Sequence, residues 1–108
     1  GPVDVFQYSP RCAPFSRAFR GGRQRRARGV TLALQEMAAA LRYVRIAAPA
    51  TIVVENVEMR GAVRRRFEAC LLRACGAGYA WETAAEDPAE TMGGLTARLR
   101  RWYMGVRQ

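Results

Sequence analysis

The chain has no histidine and no lysine. Without histidine there is no Ser/His/Asp triad, no Cys/His pair and no His-containing zinc site, and no metal is expected. Cysteine is scarce: Cys12, Cys70 and Cys75 are an odd number with no CxxC pair. That excludes a disulfide framework and points to a reducing compartment. No apolar run approaches the length of a membrane span, and no secretory signal is visible. The expected location is intracellular: nuclear in a eukaryote, cytoplasmic in a bacterium, with no membrane partner. Acid is in short supply. Nine carboxylates face 18 arginines, for a net charge of +9 and a pI near 10.9. Arginine suits planar, bidentate recognition of phosphate and base edges, so nucleic acid is the leading partner. Composition alone equally allows a solvated face or a GC-rich genome.

What is present is enough for one small domain. The chain has 108 residues, half of them hydrophobic, and no internal repeat. It opens Gly1-Pro2, which reads as a tag scar or as an internal piece of a longer protein. "VDVFQY" (3–8) alternates like a strand that ends at Ser9-Pro10. Residues 9–29 read as a long basic loop with seven arginines, too long for an ordinary connection. From Thr31, in a plausible N-cap region, Leu34, Met37, Leu41 and Val44 recur at helical spacing until Pro49. "ATIVVENV" reads as a strand buried on both faces, with Glu55 and Asn56 at its end. A second helix is expected over 61–75, then strands at "YAWETA" and "RWYMGV" around an "EDPAETMGG" loop. The order is half of an open α/β sheet, whose ligands sit beyond the carboxyl ends of parallel strands.

Cys12 and Glu55 both follow such strand ends. A thiolate at Cys12 is favoured by nearby arginine and loop amides. Glu55 is placed to hand a proton or a hydrogen bond to a bound group. Arg98 and Arg100 alternate before the last strand. Thiolate, carboxyl and paired arginines together suit covalent attack on an electron-poor heterocycle. Singly, each has a plainer reading: a core thiol, a solvated loop carboxylate, water-facing arginines. Arg64, Arg65, Arg66 and Arg73 read as solvated helix surface, and Cys70 and Cys75 as core or helix-surface thiols. Trp81, Trp102 and Tyr103 read as packed in the sheet layers.

Four blocks, in order, carry a resemblance: "SPRCAPFSR", "VVENV", "GAGY" and "GGLTARLRRWYMGV". Together they resemble the cytosine-C5 methyltransferases, which have a Pro-Cys loop ending in Phe-Ser, then Glu-Asn-Val closing a buried strand. The resemblance spans nearly the whole chain. It implies a Rossmann-like S-adenosylmethionine-dependent fold and DNA as substrate. It further implies that Cys12 attacks C6 of a cytosine flipped out of the stack, while Glu55 holds N3. C5 then takes the methyl group of S-adenosylmethionine, and elimination frees the thiol. Asn56 shapes the Glu55 segment. Arg98 and Arg100 bind the cytosine oxygen and nearby backbone. Ser16, Arg17, Arg20 and Arg23 meet phosphate, and Pro10 borders the cofactor.

The departures are specific. Arg11, not proline, precedes Cys12, and Leu95-Thr96 replaces the Pro-Gln of the last block. Counting back from Tyr103 makes Leu99 and Arg101 the equivalents of the arginine pair. The family's Phe-x-Gly-x-Gly cofactor loop and its target-recognition domain are not among the 108 residues. The expectation is therefore a partial catalytic domain that binds S-adenosylmethionine weakly or not at all by itself, completed by a missing domain or a complementing chain. Competing readings are a tRNA cytosine methyltransferase fragment, a non-catalytic Arg-rich nucleic-acid-binding module, and a structural subunit of a large assembly.

Overall fold

A computed structural model of the chain describes residues 4–10, 22–59, 61–86 and 100–108. The elements are β1 (Val5–Tyr8), α1 (Gly22–Ala47), β2 (Thr51–Val57), α2 (Gly61–Cys75), β3 (Tyr79–Glu86) and β4 (Arg100–Arg107). The fold is α/β. The four strands form one mixed sheet in the order β1-β2-β4-β3. β1 and β2 pair in parallel, and β4 runs antiparallel to both β2 and β3. β1, β2 and β3 therefore share a direction, and β4 alone opposes them.

The two helices cover one face of this sheet. Val30, Met37, Leu41 and Val44 of α1 meet Phe67 and Leu71 of α2 over Ile52, Val54 and Tyr103. Phe67 and Tyr103 are tilted rings 5.6 Å apart, and neither is more than 5% exposed. Burying such a side chain contributes about 1.5–3 kcal/mol. The strand alternation follows from that one-sided cover: Ile52, Val54 and Asn56 of β2 point at the helices, while Thr51, Val53 and Glu55 point to the other face. On the uncovered face Val5, Met104 and Val106 are exposed.

Three sequence expectations change. The loop expected over 9–29 is already helix from Gly22, so Arg23 lies in the first turn of α1 and Thr31 is mid-helix rather than an N-cap. Arg, Gln and Ala are strong helix formers, and the lone Gly29 costs only about 1 kcal/mol. β2 does not close at Asn56. It runs to Val57, because Glu55, Asn56 and Val57 pair with Trp102, Arg101 and Arg100 of β4. The long apolar face also does not bury β2 on both sides; Glu55 sits on the uncovered one.

The turn from α1 into β2 is locked from across the sheet. Ala48 is left-handed at φ 45°, and its N–H closes the helix on the Val44 carbonyl at 2.8 Å. Tyr79 Oη donates to the Pro49 carbonyl at 2.8 Å, and Arg107 donates to the Ala48 carbonyl. At the other helix end, Arg45 of α1 donates to the Arg73 and Ala74 carbonyls, satisfying acceptors that α2 leaves open.

Candidate functional site

The carboxyl ends of β1, β2 and β3 and the start of β4 gather at one edge of the sheet, as the register requires. Tyr8 pairs beside Val54, so Ser9 comes level with Glu55. Ser9 Oγ donates to Glu55 Oε2 at 3.0 Å. Arg100 donates through Nη1 to the other carboxylate oxygen, Oε1. Each oxygen of Glu55 thus has one donor, from a different strand end. The Glu55 side chain is only 13% exposed, whereas Arg100 keeps 38%. Pro10 follows Ser9 and is buried. Trp102, opposite Glu55 in the register, donates Nε1 to Glu86 Oε2 at 3.0 Å.

Of the expected site residues, Glu55, Arg100 and Pro10 come together at this edge. Cys12, Arg98, Ser16, Arg17 and Arg20 lie outside the described residues. Asn56 does not join Glu55. Its neighbour in a strand must point to the opposite face, and Asn56 is wholly buried under the helices. Its Oδ1 accepts the Val57 N–H at 2.7 Å, while Nδ2 has no partner among the described residues. That geometry shapes the strand end rather than the base. Arg23 stands on α1, on the helix-covered side.

A second pair, unforeseen in the sequence, lies across the sheet from the first. Arg101 donates from Nε to both oxygens of Glu58, at 2.9 and 3.0 Å, and from Nη1 to Thr83 Oγ1 at 2.9 Å. The hydrogen bond from Arg101 holds the Glu58 carboxyl below its ordinary value, against the opposing effect of burial. The alternation rule could have found this pair, since adjacent Arg100 and Arg101 must face opposite ways. Ser9 carried no sequence signal beyond its place before the Pro-Cys loop.

Cys70, Cys75 and Tyr103 belong to the core or pack against it. Burial pushes the Cys75 thiol up to about 11 and raises Cys70 as well, so neither is poised as a nucleophile. Burial, then the bond from its hydroxyl to Glu68 at 2.8 Å, pushes Tyr103 up. Among the described residues no group of His, Cys, Asp or Glu could hold a metal ion, and no helix is long and apolar enough to cross a membrane. No protein-family model and no curated protein matches the chain.

Proposed function

We propose that this chain is the base-attacking part of a cytosine-C5 methyltransferase catalytic domain, built on half of a Rossmann-like sheet and acting on DNA. The observation that carries the reading is the Ser9–Glu55–Arg100 cluster. It puts a nearly enclosed carboxylate at the carboxyl end of a parallel strand pair, where open α/β sheets receive ligands. Cys12 stands three residues after Ser9 in the chain. Glu55 is placed to hand a proton to N3 of a flipped cytosine, and Arg100 reaches the base oxygen from the same side. The Cys12 sulfur forms the bond to C6, and the C5–C6 π pair moves toward C5 as N3 takes the proton from Glu55.

S-adenosylmethionine supplies the methyl group in this reading. Of its expected neighbours only Pro10 is described. Among the described edge carboxylates, Glu55 is assigned to the base, and Glu58 and Glu86 are bonded to Arg101 and Trp102. The described residues therefore do not fit the whole donor, and no step is derived through it.

The test is covalent capture. The chain, with S-adenosylmethionine, is mixed with duplex oligonucleotides carrying 5-fluorocytosine and run on a denaturing gel. An adduct that disappears in Cys12→Ala supports the reading. Intact salt-sensitive binding with no adduct overturns it for this chain and leaves a non-catalytic nucleic-acid-binding module, the reading that the basic helices favour. Capture of 5-fluorocytosine in RNA but not in DNA would instead move the substrate to tRNA.

A further inference from the structure

Charge is segregated between the two layers. α1 carries six arginines and one glutamate, and α2 carries four arginines and one glutamate. The four strands carry three arginines and three glutamates. The excess positive charge of the described residues therefore sits on the helices, not on the edge that holds Glu55.

Part of that charge lines a groove. Between α1 and α2 lie two hollows of about 450 and about 360 Å³. Arg23 and Arg26 of α1 line the first, Arg73 of α2 lines the second, and Arg66 belongs to both. Among the described residues no acidic side chain lines either. Arg66 also reaches across to Thr31 Oγ1 at 3.4 Å, which brings the two helices' polar surfaces together where the hollows meet. The first hollow opens beside Gly22 and Val63, at the N-terminal ends of both helices. The partial positive charge of two helix ends adds to the arginines there.

We infer that this groove is a second nucleic-acid contact, a track for the phosphodiester backbone on the helix side of the sheet. The inference does not need methyl transfer at Glu55; charge and shape carry it. Guanidinium forks match phosphate oxygens, and a row of them along a groove suits a linear polyanion. Arg66 and Arg73 are seven residues apart, about 10 Å along α2, the rise of roughly three phosphates of one strand. Among the described residues no aromatic side chain lines the groove, so those residues offer bases no stacking platform. Contact is then through the backbone and indifferent to sequence. The track starts at the sheet edge that holds Glu55 and runs away from it, so a duplex presented to that edge continues onto the helices.

The test is fluorescence anisotropy with a fluorescein-labelled duplex of random sequence, measured over a salt series. Two variants remove equal charge. One is Arg23/Arg26/Arg66/Arg73→Gln, in the groove. The other is Arg25/Arg28/Arg42/Arg65→Gln, on helix positions that line neither hollow. Circular dichroism checks that both keep the helices. The groove variant is expected to weaken low-salt binding at least thirtyfold and to lower the slope of log K against log salt by about 3. The second variant is expected to change binding less than fivefold. Equal losses in the two variants overturn the groove and leave only net charge. No loss in the groove variant overturns it outright. Groove-dependent binding that polyglutamate matches at equal charge overturns the nucleic-acid assignment in favour of an acidic protein partner. Capture of 5-fluorocytosine by the parent is scored separately: no capture with groove-dependent binding intact fails the methyl-transfer reading alone, so the two failures are told apart.

Discussion

Two glutamate–arginine pairs join the same two strand ends, one on each face of the sheet. Glu58–Arg101 is closed: both side chains are 15% exposed or less, three bonds hold the guanidinium, and Thr83 takes the last of them. Glu55–Arg100 is open. Its carboxylate is enclosed, yet its arginine keeps 38% exposure, and among the described residues the other donor to Glu55 is the Ser9 hydroxyl. The difference comes from the layer each faces. Arg101 lies on the helix-covered side, where saturation of every donor is the condition for burial. Arg100 lies on the other side and is itself partly solvated, so its guanidinium can turn toward a ligand while the Ser9 hydroxyl stays on Glu55. Identical chemistry one residue apart thus gives a structural latch and a candidate binding group.

The contrast can be broken from either side. The largest effect is expected from Glu55→Gln. Under the methyl-transfer reading it lowers the rate of Cys12-dependent capture of 5-fluorocytosine about a hundredfold, with duplex affinity by anisotropy within about twofold. Equal loss of capture and binding would make Glu55 structural, like its counterpart. Next comes Glu58→Ala, which strands Arg101. It should cost about 2 kcal/mol in urea unfolding, short of the ~3–5 kcal/mol of a wholly enclosed pair. A pH series sharpens the same point. The folded Glu58 carboxyl lies below its ordinary value, so its contribution is full above that ordinary value and is lost as pH falls through the folded one. Stability of the parent should therefore drop below about pH 4.5 more steeply than that of Glu58→Gln. Matching acid limbs would show that Arg101 does not discriminate the two charge states. The smallest effect belongs to Arg100→Ala, which removes a partly solvated ion pair. Its thermal unfolding should shift by the equivalent of no more than about 1 kcal/mol. A loss as large as that of Glu58→Ala would erase the distinction between the faces.

Much of the fold was legible. Leu34, Met37, Leu41 and Val44 marked the buried stripe of α1, because helical periodicity is a local property of the chain. All four strands stood where β-branched and aromatic residues cluster. The start of α1 was misread because a run of arginines looks like a solvated loop, although arginine is a good helix former and the run needs only one anchored turn. At the site, Glu55 and Arg100 were both singled out, and they meet. The resemblance assigned Asn56 to shaping the Glu55 segment; it lies on the opposite face of the strand, where its Oδ1 accepts the Val57 N–H. Arg101 was weighed only as a substitute for Arg100, when both are used, one per face.

The sequence by itself determined the charge, the helical and extended segments, the buried stripes and the residue types offered for chemistry, since each depends on neighbours a few positions away. Tertiary structure alone decided that β4 enters the sheet between β2 and β3, since strand order is set by long-range pairing. From that insertion follow the meeting of Arg100 with Glu55 across 45 positions, the closure of Arg101 on Glu58, and the separation of a basic helix layer from a charge-balanced sheet. No local pattern encodes these, because each is a contact between residues that only packing of the two helices on one face brings into register.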